Sequence, residues 1–345
     1  MPRIPAARRA GLLSFRGASK TRSRKETRMT RTTRTTRGAL AALLFAAALA
    51  ALALTGCTQP AAPEAAPEPA APAAAFPVTI TDDASRSVTI AARPEKIVSL
   101  APANTETLFA IGAGDRVVGV TSYDDYPAEV ADIAKVGDFS GPNLEAVAAA
   151  DPDVVFVTTG VQADVIGKLE ALGATVVAID PTTLDGVYEA IGEVGQVTGN
   201  TAEADKLVAD MKAKADEIAT KVASAEKTTA FIEIGQNPLF TAGAATLLGD
   251  LIVRAGGANV VAEPGYVSYS AEQLVKANPA VYLATKTSAT DAATVAKRPG
   301  YDGLAAVKDG RVVILEDNLV SRPGPRIVEG LEQIAVGLHP DAFGQ

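Results

Sequence analysis

Apolar positions in this chain come as short solid runs separated by stretches with helical spacing. The first set of runs is KIVSLA (96–101), VVGVTS (117–122), DVVFVTT (153–159) and TVVAID (175–180). The second is TTAFIEIG (228–235), ANVVA (258–262), AVYLAT (280–285) and RVVILE (311–316). Runs of this length, rich in Val and Ile, read as buried strands, and strands alternating with helices give a parallel sheet with crossover helices. Between the sets lies one long amphipathic stretch, 201–227. Its Leu207, Val208, Met211, Ala215, Ile218 and Val222 share a helical face, and Thr201 with Glu203 marks its start. A helix of about 23 residues spans roughly 35 Å, enough to run the length of a lobe.

The two sets are versions of one phrase. NLEAVAAADPDVVFVTT (143–159) and SAEQLVKANPAVYLAT (270–285) each give a short helix, an Asp-Pro or Asn-Pro break and a strand. In both, a Glu precedes the Pro by seven residues: Glu145 before Pro152, Glu272 before Pro279. The match extends to LFAIGAGDRVVG (108–119) and LIVRAGGANVVA (251–262). The expectation is an α/β protein of two related lobes, 76–184 and 228–345, joined by a helical segment over 185–227. Lobes bridged by one long helix flex little. They enclose a cleft at the carboxyl ends of their strands, where open α/β sheets bind ligands.

Composition changes the picture at the amino end. Residues 1–56 hold 12 Lys or Arg against one acid, Glu26, and Ala39–Leu54 is an unbroken apolar run of 16. A basic segment (Arg31, Arg34, Arg37), an apolar run and small residues describe an export signal too short for a comfortable membrane span. Met29 opens a complete signal of its own, so residues 1–28 are expected not to be translated. The sole cysteine sits in Leu54-Thr55-Gly56-Cys57, which resembles the lipobox of bacterial lipoproteins, where the Cys is lipidated and becomes the first residue of the mature protein. An ordinary cleavage site beside an incidental Cys is the alternative. The Pro, Ala and Glu residues that follow, through Ala75, form a tether reaching about 55 Å when extended. From Cys57 onward 20 Lys or Arg face 39 Asp or Glu, a formal −19 that argues against nucleic acid as a partner.

The segments IVSLAPANTETLFAIGAGDRVVGVTSYDDYP, NLEAVAAADPDVV, NPLFTAG and RPGPRI, behind a lipobox and tether, resemble the substrate-binding proteins that feed ABC importers of cobalamin and ferric siderophores. The resemblance covers residues 77–337. It implies two Rossmann-like lobes with parallel sheets joined by a long backbone helix, the class III periplasmic binding protein fold. It also implies a partner, a permease dimer with its ATPase subunits, on which one surface Glu per lobe docks. Glu145 and Glu272 stand at those positions, behind the good N-cap residues Asn143 and Ser270. A twofold transporter meeting a two-lobed receptor needs equivalent charges on both lobes. The other role for a first-turn acid is local, stabilising the helix dipole by about 0.3–1 kcal/mol.

Six of the 14 aromatics after Cys57 lie in loops or just past strands: Tyr123, Tyr126, Phe139, Phe240, Tyr266 and Tyr269. Core or lid packing is the alternative for each, but as a set they suit a large flat ligand. By the resemblance, Tyr123, Phe139, Phe240 and Tyr266 match positions where cobalamin binders present aromatics. At VFVTTG an aromatic of that subgroup is replaced by Thr158, next to Thr159, and the chain has no Trp. Arg322 and Arg326 are candidates for an anionic group on the ligand, with a salt bridge as the other role for Arg326. APANTE offers a helix start with free N–H groups at Asn104 and Thr105, a site for an anion or carbonyl, or simply a cap.

Other classes fit less well. Receptors for bare Zn²⁺ or Mn²⁺ need converging His and carboxylates, and the chain has one His, His339, near its end. Gly112-Ala113-Gly114 does not continue into a dinucleotide fingerprint, and without a usable His or Cys the common nucleophile–base pairs are missing. Carboxylate chemistry and a role in signalling to a membrane receptor are the remaining alternatives. The expectation is a lipid-anchored, extracytoplasmic, monomeric and non-enzymatic receptor without cofactor or directly bound metal. Its ligand is a metal chelate: cobalamin or another corrinoid first, then a ferric siderophore, then haem.

Overall fold

A computed structural model of the protein describes residues 76–344. The expected signal segment 1–56, the lipidation candidate Cys57 and the tether through Ala75 lie outside the described residues. Each of the eight expected runs holds or overlaps a strand, the run 258–262 only at its first two residues. The first lobe opens with a hairpin, β1 (Val78–Thr81) and β2 (Ser87–Ile90). There follow β3 (Ile97–Ser99), α1 (Pro102–Ala110), β4 (Val117–Gly119), α2 (Leu144–Ala149), β5 (Val154–Val157), α3 (Ala163–Ala171) and β6 (Thr175–Ala178). The four strands after the hairpin pair parallel in the order β4-β3-β5-β6.

The second lobe repeats this plan. β7 (Thr228–Gly235), α6 (Leu247–Arg254), β9 (Gly257–Asn259), α7 (Ala271–Ala277), β11 (Val281–Thr285) and β12 (Val312–Leu315) give the parallel order β9-β7-β11-β12. The repeat in the sequence is therefore a repeat of fold. One addition breaks it: β8 (Phe240–Ala242) and β10 (Tyr266–Ser268) pair antiparallel beyond the carboxyl-terminal half of β7. The lobe closes with short helices α8 (Ala292–Ala296), α9 (Ala305–Lys308) and α10 (Asp317–Val320), then α11 (Ile327–Leu338). Within its sheet, fully buried Glu233 on β7 is bonded by the Tyr282 hydroxyl and by Arg298, so this interior carboxylate is paired.

Two helices connect the lobes, α4 (Leu184–Thr198) and the long α5 (Thr201–Val222). Gly199, at φ +75°, ends α4 in the left-handed region that glycine tolerates, and α5 starts two residues on. A Cβ on Gly195 would fall 2.5 Å from Ala204 Cβ, so this glycine lets the two helices pack closely. Buried Arg116 fixes the turn to the first lobe, donating to Thr198 O at 3.0 Å and to the Asn200 side chain. Met211, Ile218 and Val222 of α5 are buried as their spacing predicts, with Leu207, Val208 and Ala215 packed alongside. They belong to one apolar cluster that includes Leu108 and Phe156 of the first lobe and Ile232, Leu251 and Leu283 of the second. The apolar core is therefore continuous through both lobes, as the expectation of a pair that flexes little requires.

Candidate functional site

The carboxyl ends of the two sets of strands carry the loops in question, and one polar joint ties them together. Glu106, on α1 and 3 % exposed, receives Arg326 in two bonds, Nε to Oε2 at 2.8 Å and Nη2 to Oε1 at 2.6 Å. Arg322 Nη1 donates to the same Oε1 at 2.9 Å and to Asp125 Oδ1 at 2.6 Å, while Nη2 reaches Tyr123 O at 3.2 Å. Asn318 Nδ2 holds the other oxygen of Asp125 at 2.9 Å, and the Arg326 guanidinium lies 4.0 Å from the Tyr126 ring centre. Forked donors on a carboxylate and a cation on an aromatic face are the strong forms of these contacts. Partial burial pushes the Asp125 carboxyl up, but bonding to Arg322 and that charge outweigh it and hold it below the usual range. The bond to Glu106 raises Arg326, against an opposing desolvation.

Arg322 and Arg326, expected to face an anionic ligand, are thus engaged by acids of the opposite lobe, the alternative role anticipated for Arg326. Glu106 and Asp125 are the functional residues that sequence reading missed. The only signal was an acid inside the otherwise uncharged helix pattern ANTETLFA and a doubled Asp in SYDDYP. The helix start also differs from expectation: Thr105 N–H is not free, since it donates to Ala101 O at 3.1 Å, and its hydroxyl bonds Ser99 Oγ at 2.8 Å. The Asn104 side chain is buried and turned toward Val157 O, 3.4 Å away.

The first-lobe wall is organised by Gln162, a fully buried side chain. Its Nε2 donates to Leu100 O at 2.7 Å and Phe139 O at 2.6 Å, and its Oε1 accepts Thr158 N–H at 3.0 Å. Three loops are fixed by one amide, including those that carry Phe139 and Thr158. Thr159 lies beside them: its hydroxyl and its N–H, the latter at 3.2 Å, both donate to Asp180 Oδ2, which also takes Gly160 N–H at 3.1 Å. Tyr123 and Tyr126 stand exposed at 61 % and 46 %. Buried Asp124 between them, bonded by Thr121, braces the loop.

On the second-lobe wall, Phe240 begins β8 and Tyr266 begins β10, so both ride on the pair that breaks the repeat. The Tyr266 ring is half-exposed, and desolvation, then the Asp180 carboxylate just past the end of the first-lobe strand β6, push its phenol up. Tyr269 is different. It packs 5.4 Å from Phe231 against the second-lobe core, the bland role open to any of the six aromatics. Glu145 and Glu272 are exposed in the first turns of α2 and α7. Asn143 Oδ1 caps α2, accepting Glu145 N–H and Ala146 N–H at 3.1 Å, and Ser270 with Gln273 forms a capping box on α7. Among the described residues no cluster of three or more His, Cys, Asp or Glu is arranged to hold a metal ion, and no helix is long and apolar enough to cross a membrane.

Comparison with known proteins meets this geometry. The family described as periplasmic binding protein matches residues 97–319, well over half of the chain. The chain belongs to this family. An ABC transporter substrate-binding lipoprotein of Bacillus subtilis is 38 % identical over 277 residues, 78 % of this chain and 87 % of that one. A cobalamin-binding protein of Halobacterium salinarum is 32 % identical over 77 % of this chain and 75 % of its own length. Among solved structures, a possible iron-binding, periplasmic solute-binding protein of Staphylococcus epidermidis superposes with a TM-score of 0.65 at 31 % identity, covering 72 % of this chain and all of that one. The two lobes and the helix between them are the fold of these periplasmic binding proteins. In this one the family match runs from β3 to α10, so it takes in Glu106, Asp125 and all six loop and strand-end aromatics but stops short of both joint arginines.

Proposed function

We propose that this periplasmic binding protein captures a metal chelate in the cleft between its lobes and delivers it to an ABC importer. A corrinoid such as cobalamin stands first, a ferric siderophore second and haem third. The observation that carries this reading is the set of aromatic side chains that both lobes present at their strand ends, Tyr123, Tyr126 and Phe139 from one and Phe240 and Tyr266 from the other. Rings that are large and partly exposed give a flat ligand apolar contact at little entropic cost. Relatives named for cobalamin, iron and ABC transport point the same way.

The same reading makes the protein a monomer in solution, held outside the membrane by acyl chains on Cys57. Glu145 and Glu272 each dock on one subunit of a permease dimer. It is a receptor and not an enzyme. Its chemistry is recognition, and Thr158, Thr159 and Asn104 help to shape the first-lobe wall. Titration of the purified protein with cyanocobalamin, ferrichrome and haemin, read by calorimetry, tests it. Saturable one-to-one binding of at least one probe is expected, and binding of none would overturn the assignment.

A further inference from the structure

We infer that the cleft selects its chelate by charge, taking one whose protein-facing surface is uncharged or cationic and rejecting anionic chelates. The inference rests on the chelate reading and narrows it. Four cations approach the cleft from the strand-end loops, and none is free for a ligand among the described residues. Arg322 and Arg326 are shared between Glu106 and Asp125, two positive charges against two negative. Lys286 is paired with Glu316. Lys135 directs its ammonium back into its own loop, donating to Val130 O at 3.0 Å and Asp124 O at 3.4 Å.

Acids are treated differently. Asp180, just past the carboxyl end of β6 in the first-lobe wall, accepts three donors from the Thr159–Gly160 turn, all of them neutral, and has no ion-pair partner among the described residues. Glu263, exposed in the loop before Tyr266, has no ion-pair partner among the described residues. Against the four cations stand five acids, Glu106, Asp125, Glu316, Asp180 and Glu263, so the charges at the cleft sum to one negative in a chain that is acidic from Cys57 onward. An anionic chelate has two ways in, and both are unfavourable. It can sit beside Asp180 without a counter-charge, a like-charge contact of the kind that excludes wrong partners. Or it can displace Glu106 or Asp125 from the arginines, and Glu106, once displaced, is left buried and unpaired. A neutral or cationic chelate needs neither, because aromatic faces and the Thr158 and Thr159 side chains suffice.

Four probes read by calorimetry test this on the purified protein: cyanocobalamin, which is neutral overall, cationic ferrioxamine B, trianionic ferric enterobactin, and haemin with its two carboxylates. The neutral or the cationic probe is expected to bind at least about a hundredfold more tightly than either anionic one. Asp125→Asn, which frees Arg322 from one acid, should improve the anionic probes about tenfold relative to cyanocobalamin, and Asp180→Asn should act in the same direction. An anionic probe bound as tightly as the best neutral or cationic one overturns the inference and leaves the chelate reading standing. Binding of none of the four removes both.

Discussion

The two lobes were cut from one pattern, and their differences are more instructive than their likeness. In the first, the outward edge of β6 is sealed. The β1–β2 turn reaches over it, with Asp83 N–H on Ala178 O and Ala178 N–H on Asp82 Oδ2, both at 3.1 Å, while Arg86 donates to Val176 O at 3.0 Å. In the second, no hairpin covers β12 among the described residues. Its inward ladder uses Arg311 O and Leu315 O, so the polar groups of Val312 and Ile314 face outward beside a groove of about 950 Å³ against α11. The second lobe spends its extra strands, β8 and β10, on the cleft instead. At the joint the roles are complementary: acids from the first lobe, guanidiniums from the second. What the lobes share builds the scaffold, and what they do not share builds the site.

The joint offers the largest test of that contrast. Glu106→Ala leaves Arg322 and Arg326 half-buried with only Asp125 between them, and should destabilise the protein by about 3–5 kcal/mol. Denaturant unfolding measures it, and a loss under about 1 kcal/mol would mean that the lobes are held by their apolar core alone.

Glu145 and Glu272 test what the lobes share. If both dock on a twofold transporter, the double change to Gln should lower stimulation of its ATPase in vesicles by about tenfold or more, with single changes intermediate. Thermal unfolding should move only slightly, since Asn143 and the Ser270–Gln273 box still cap the helices. Normal stimulation by the double variant would assign the two acids to their helix starts alone.

The sealed edge comes next. Asp82→Ala removes the acceptor for Ala178 N–H and should cost about 1–3 kcal/mol. Hydrogen exchange should quicken at Ala178 toward the rate of Ile314, whose amide already faces outward. Unaltered exchange at Ala178 would show that Asp83 and Arg86 seal the strand without it.

The smallest effect concerns Glu193 on α4, which faces the same turn. Burial, then the Asp83, Asp82 and Glu189 carboxylates, push its pKa up from 4.5 to about 7, and its Oε2 has no hydrogen-bond partner among the described residues. The folded state therefore holds this proton more tightly than the unfolded chain does. The stability it contributes is present in acid and is lost as pH rises from about 4.5 to about 7. Glu193→Gln should raise the melting temperature modestly at pH 8 and not at pH 4, where wild type is already protonated. An equal change at both pH values would point to packing instead of charge.

Much of the scaffold was legible in the sequence because its signals are local. Val154–Val157 and Val281–Thr285 are solid apolar runs, and the α5 face is read off its own spacing. Asn143 and Ser270 announce the starts of α2 and α7. The β1–β2 hairpin and the β8–β10 pair escaped because their strands are only three or four residues long and mix polar with apolar positions, as in SVTI and YVS. The joint escaped for another reason. Arg322 looked free because its partner Glu106 lies 216 residues away, and contact at that separation leaves no mark on either segment. Gln162 was silent too, since its three bonds run to backbone groups that any sequence supplies.

The central claim is that the ligand sits between the lobes, touching both. It is tested most directly by the dissociation constant for cyanocobalamin in Tyr123→Ala, Tyr266→Ala and the double variant, compared with Val313→Asp in the β12 groove. One tyrosine from each lobe should be worth about tenfold, with the double variant weaker than either, and the groove substitution should leave affinity at its wild-type value. Full affinity in the double tyrosine variant, or its loss with Val313→Asp alone, would contradict the account and move the ligand out of the cleft.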